Sequence, residues 1–211
     1  MKKTKEKILE TALQLFNAQG ISKVSLRTIA NDMNISLGNL TYHFKKRDDI
    51  VVSLYLELVA KMDAMTLQNV SKDNLLESFF KISDLIAENF YEYRFIMLDF
   101  VHITRNYSQI QTHYRELIKI REQQFKLLMS ELIRLDLIRE EIIEDEYVYL
   151  FKELKILNDF WLPSLSLEND VITQEEISKH ALLLKTKIFP YLTKKGRTAF
   201  QQMNISTKKH E

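Results

Sequence analysis

Apolar positions recur along this chain with the three-to-four-residue rhythm of helices rather than the two-residue alternation of strands. Ile8, Leu9, Ala12, Leu13, Leu15 and Phe16 keep that rhythm from about Lys3 to Ala18. Gly20 follows, where a helix that ends in the left-handed conformation favours glycine. Ser25, a good N-cap, precedes Leu26, Ile29, Ala30 and Met33, and predicts a second helix of about two turns. Asn34-Ile35-Ser36 breaks the pattern. A third short helix is predicted from Leu37 to about Phe44, with Ser36 as its cap and Leu40 and Phe44 facing inward. Three short helices with a tight break between the second and third predict a trihelical helix-turn-helix head.

Longer periodic stretches follow. Ile50, Leu54, Leu58 and Met62 predict a linking helix over 48–66, and further helices are predicted over 74–91, 93–105 and 108–134. Another is expected from Asp145 to Trp161, closed by Pro163, with 164–171 as a loop. Thr173 and Glu176 form a capping-box pair that opens the last long helix, which Pro190 should kink or end. Residues 194–211 read as a frayed tail. The expected fold class is all-α: an N-terminal three-helix head over 1–47 joined to a larger C-terminal helical body over 48–211. Tyr147, Leu150, Leu154, Leu157 and Trp161, with Ile177, Ala181, Leu184 and Ile188, mark the last two long helices as the expected homodimer surface, in a four-helix bundle.

Composition agrees with long helices and few turns, since the chain holds only 3 Gly and 2 Pro. The absence of Cys excludes disulfides and thiolate metal sites. The N-terminus lacks an apolar leader core, and no run of about 18 uncharged apolar residues occurs. A cytoplasmic address without a membrane partner is therefore expected. Charge sharpens the picture more. Residues 1–47 carry nine basic and three acidic side chains, whereas the remainder carries 21 and 26. A basic head on an acidic body suits a polyanionic partner.

The candidate chemistry sits on the third helix, whose outward residues are Leu37, Gly38, Asn39, Thr41, Tyr42 and His43. Gly38 permits close approach to a duplex. Asn39 can pair with an adenine edge, and the Thr41 methyl suits a thymine methyl. Tyr42 and His43 can donate to phosphate oxygens, and Lys45, Lys46 and Arg47 can neutralise the flanking backbone. No nucleophile–base pair, phosphate-cradling glycine loop or zinc motif is present, so neither an enzyme nor a metal or cofactor is expected. An alternative is a helical interaction module whose basic head binds protein or an anionic surface.

The run Leu26-Arg27-Thr28-Ile29-Ala30, followed by Ile35-Ser36-Leu37-Gly38-Asn39-Leu40-Thr41-Tyr42-His43-Phe44-Lys45-Lys46-Arg47-Asp48-Asp49-Ile50, resembles the TetR family of bacterial regulators. The close match covers about residues 5–55. Thr41 departs from a frequent Tyr and Arg47 from the usual Lys. The resemblance implies a dimer in which helices one to three bind a near-palindromic operator in double-stranded DNA. Helix four would link them to a body with a small-molecule pocket and the dimer surface. It implies backbone contacts from Thr28, Tyr42, His43, Lys46 and Arg47, and groove contacts from Leu37, Asn39 and Thr41. A repressor released by an effector is then expected. The polar and aromatic positions Phe95, Asp99, His102, Arg105, His113 and Tyr114 are candidates for the pocket, and Asp99 with His102 lacks a third group for a metal.

Overall fold

The first breaks between helices have local causes in the sequence. The computed structural model describes residues 2–71 and 73–203, and the chain in it is helical almost throughout. Helix α1 (Lys2–Gln19) ends at Gly20, whose φ of 80° is open to glycine at no steric cost. A 3₁₀ turn at Ile21–Lys23 leads to α2 (Leu26–Asp32) and α3 (Leu37–His43). The turn between these two passes through Asn34 at φ 54°, a left-handed conformation that asparagine tolerates better than most residues. The remaining helices are α4 (Arg47–Asn69), α5 (Leu75–Glu92), α6 (Arg94–Leu98), α7 (Phe100–Asn106), α8 (Ser108–Arg134), α9 (Glu146–Ser166), α10 (Gln174–Ile188) and α11 (Lys194–Gln202). Two compact units emerge, one of Met1–Met62 with Asn89–Tyr114, the other of Asp63–Glu88 with Arg115–Glu211.

In the first unit Ile8, Ala12, Phe16, Ile29, Leu40, Ile50 and Leu54 are buried to 1% exposure or less. Fully burying a side chain of this size contributes about 1.5–3 kcal/mol. The single helix expected over 93–105 is instead two, broken at Asp99. Phe95, Ile96 and Met97 are consecutive and all buried, as are Phe100 and Ile103. Successive residues on one helix point about 100° apart, so α6 is surrounded by the core on most of its sides rather than along one stripe.

The second unit is built around Leu76, Phe80, Phe125, Met129, Leu132, Leu150, Leu184 and Ile188. Two further expectations are corrected here. Helix α9 passes through Pro163 and continues to Ser166, because Trp161 and Leu162 are buried beside the proline and hold the helix across the missing donor. The region from 194 is not a frayed tail up to Met203. Thr193 caps α11 by accepting from the Gly196 N–H at 3.0 Å, and Phe200 is buried edge-on against Phe80 at 5.4 Å. Residues 204–211 lie outside the described residues. An isolated antiparallel bridge, Ile138 to Leu192, seats this helix against the end of α8. Thr173 and Glu176 form the capping box that opens α10, as their spacing predicts.

Helices α9 and α10 bury the positions expected to face a second subunit. Tyr147, Leu150, Leu154, Trp161, Ile177, Ala181, Leu184 and Ile188 are all buried within the chain. The outward side of the same helices exposes Tyr149, Ile156, Phe160 and Leu183. Between the two helices the His180 ring stacks on Trp161 at 4.3 Å, buried, and no partner reaches its Nε2 among the described residues. Burial disfavours the charged imidazolium and lowers the His180 pKa from 6.5 to about 4. Between those two values the unfolded chain holds the proton and the folded chain does not, so stability falls as pH drops from 6.5 towards about 4. The loss reaches up to about 3 kcal/mol at the acid end. Thermal melts from pH 7 downwards should show the wild-type protein losing more stability than a His180→Gln variant; parallel curves would overturn the assignment.

Candidate nucleic-acid interface

The head is assembled by short-range caps before any partner is present. Ser25 Oγ accepts from the Thr28 N–H at 3.1 Å, and the Ser25 N–H donates back to Thr28 Oγ1 at 3.3 Å, a reciprocal box that closes the start of α2. Ser36 Oγ accepts from the Asn39 N–H at 3.1 Å and so starts α3. The Ile35 N–H donates to the Ala30 carbonyl at 3.0 Å across the turn. Leu40 and Phe44 are buried at 0% and 3% exposure and pin α3 onto the head, with Lys5 Nζ over the Phe44 ring at 5.3 Å.

Fixing those two side chains inward turns a defined set outward. Leu37, Gly38, Asn39 and Tyr42 are exposed, and Thr41 and His43 are half-buried. The Tyr42 and His43 rings meet edge to face at 5.2 Å. The Thr41 hydroxyl donates its only hydrogen to the Gly38 carbonyl at 3.1 Å, which leaves its methyl and lone pairs for other contacts. A Cβ at Gly38 would meet nothing of the chain nearer than Ser36 Oγ at 3.9 Å, so the fold itself makes no demand for glycine there. Lys45 and Lys46 are exposed at the end of α3. The Lys46 N–H donates to Asp49 Oδ2 at 2.9 Å, capping the start of α4. Arg47 is half-buried and its Nη1 donates to the Ile21 carbonyl at 3.2 Å, so part of this guanidinium ties the 3₁₀ turn to α4. Thr28 is half-buried within its capping box.

The candidate pocket residues lie in the first unit in two settings. Phe95 is buried against Phe16 at 5.0 Å, and Tyr114 meets Phe100 edge-on at 5.0 Å. His113 Nδ1 is 3.0 Å from the Tyr55 hydroxyl, and burial pushes the Tyr55 phenol up to about 12. Asp99, His102 and Arg105 are exposed, and the amide of Asn106 lies 3.2 Å from His102 Nδ1. Among the described residues no group of three acidic or His side chains is placed to hold a metal ion, and no helix is long and apolar enough to cross a membrane. Sequence reasoning passed over Asn17, which bonds both sides of the α5–α6 joint. Its partners are 75 and 78 residues away, beyond any local pattern.

Comparison with known proteins covers both parts of the chain. The family described as "Bacterial regulatory proteins, tetR family" matches residues 8–54, and a C-terminal one described as "Bacterial transcriptional repressor" matches residues 57–200. A probable HTH-type transcriptional regulator, YttP, of Bacillus subtilis is 29% identical over 146 residues, which are 65% of this chain and 64% of that protein. The chain thus matches less than two thirds of that curated relative's length. The solved structure of a TetR-family transcriptional regulator from Marinobacter aquaeolei superposes with a TM-score of 0.78 at 22% identity, over 95% of this chain and 97% of that one. A transcriptional regulator from Saccharomonospora viridis, solved in complex with choline, gives a TM-score of 0.71 at 15% identity, over 92% of this chain and 100% of that one.

Proposed function

The chain belongs to the TetR family of bacterial transcriptional regulators, and from that premise we propose that α3 enters the major groove of a near-palindromic operator, one copy from each subunit of a homodimer. The observation that carries this reading is a preformed α3 whose outward face is small, polar and flanked by lysines. Asn39 and Thr41 read base edges, with Leu37 and Gly38 allowing close approach. Tyr42, His43, Lys45 and Lys46 hold the phosphates, assisted by Ser36, Thr28 and Arg47, whose structural bonds fix their positions. Residues 1–47 are the reading head, and 48–211 carry the effector site and the dimer surface. The exposed Tyr149, Ile156, Phe160 and Leu183 on α9 and α10 supply the subunit contact. The protein works in the cytoplasm as a repressor. It leaves its operator when a small molecule favours a body conformation with badly spaced heads, through linkage of the two equilibria. The choline complex of the Saccharomonospora regulator supports a small organic effector.

Selection of bound duplexes from a random pool tests the reading. Two inverted half-sites with a fixed spacing are expected. Asn39→Ala should relax preference at one base pair of each half-site by about 1–3 kcal/mol while other positions keep their preference. Recovery of no consensus at low ionic strength would overturn it.

A further inference from the structure

We infer that Asn17 is the positioning residue that fixes the pitch of the reading head, by capping the joint between α5 and α6 from within α1. This rests on the dimeric operator-binding reading. The joint at residues 92–95 has unfinished backbone chemistry. Glu92 is the last residue of α5, where carbonyls lose their helical donors, and Phe95 lies in the first turn of α6, where N–H groups lack acceptors. Tyr93, at the N-cap of α6, supplies no side-chain bond to it. The Asn17 carboxamide supplies both missing partners at once: Nδ2 donates to the Glu92 carbonyl at 2.7 Å, and Oδ1 accepts from the Phe95 N–H at 3.1 Å.

Few side chains can do this. A planar amide carries donor and acceptor on one rigid group; Asp has no donor, and Gln places the same group one methylene further out. Around Asn17 the remaining contacts are less directional. Phe16 meets Phe95 ring to ring at 5.0 Å, a contact that tolerates sliding. From α4, Lys61 bonds the Glu92 carboxylate at 2.5 Å and Glu57 accepts from the Tyr93 hydroxyl at 3.0 Å. The joint is therefore gripped by α4 and by α1, and Asn17 gives the α1 grip a fixed direction. A head held only by ring contacts would rock about α4, and its reading helix would no longer present a fixed separation from that of the partner subunit.

The test measures how strictly the protein gauges operator spacing. Affinities are compared for the selected operator, for duplexes with the half-sites one or two base pairs closer or further apart, and for a lone half-site. Wild type should lose about tenfold or more per misplaced step, since a rigid dimer fits one separation. Asn17→Ala should bind the best operator about tenfold more weakly, the equivalent of two lost hydrogen bonds, yet vary by less than about threefold across spacings. The lone half-site should be bound equally by both. Asn17→Asp keeps the acceptor for Phe95 and loses the donor to Glu92, and should fall between them; it decides the matter if the alanine variant fails to fold. A variant that gauges spacing as strictly as wild type overturns the proposal alone. A wild-type protein indifferent to spacing overturns the dimer reading and the proposal with it.

Discussion

Gly196→Ala should lower the melting temperature by about 6 °C, although alanine is the better helix former by about 1 kcal/mol. The cause is steric. A Cβ at position 196 would stand 2.0 Å from the Leu137 carbonyl oxygen and 3.3 Å from the Leu192 Cβ. The nearest obstacle is backbone, which cannot swing aside as a flexible side chain can. It is also backbone in use: the Leu137 carbonyl accepts from the Thr193 N–H at 3.1 Å, next to the bridge between Ile138 and Leu192. Moving α11 away to make room would loosen the Thr193 cap and lift Phe200 off Phe80 and Phe189, which it meets at 5.4 and 5.2 Å. Overpacking of this kind costs about 1–3 kcal/mol, and the lost cap about 1 kcal/mol more. Circular dichroism melts decide it: a variant as stable as wild type, or more so, would mean that α11 does not sit against Leu137.

The second large effect concerns the cations behind the reading helix. Lys45→Ala with Lys46→Ala should weaken binding to every duplex by roughly tenfold to a hundredfold at low salt, without shifting base preference. Both side chains are exposed, so stability should hardly change. Each phosphate contact releases condensed counterions, so the slope of log affinity against log salt should become shallower by about 0.9 per lysine lost. Fluorescence anisotropy titrations on specific and scrambled duplexes at several salt concentrations give both quantities. A slope equal to that of wild type would remove these lysines from the interface.

Legibility in the sequence followed the range of the forces involved. The caps at Ser25, Ser36 and Thr173 act over three residues, and their spacing announced three helix starts that the structure bears out. Ser108–Arg134 was likewise plain from its uninterrupted period. Longer-range packing overrode local signals elsewhere. Pro163 reads as a stop, yet buried Trp161 and Leu162 carry α9 past it. The polar composition of 194–203 reads as a tail, yet one buried phenylalanine and a glycine fitted to a carbonyl make it a docked helix. Apolar periodicity on α9 and α10 marked a face to be buried but carried no information on whether the chain's own core or a second copy would bury it; the core takes it. The outward set on α3 was readable because Leu40 and Phe44, four residues apart, fix which side faces in. That Thr28 and Arg47 have structural partners was not, since a motif match reports residue types and not their bonds.

The local caps of the three-helix head have a consequence for the proposed search of DNA. Ser25, Ser36 and Asp49 each accept from a backbone N–H at a helix start, and Asn34 takes the left-handed turn between α2 and α3. On the proposed reading, a helix held by such caps loses its conformational entropy when the chain folds rather than at the operator. On that same reading, the head would sample a duplex by brief, salt-governed contacts, with discrimination expressed as the time it lingers rather than the speed with which it arrives.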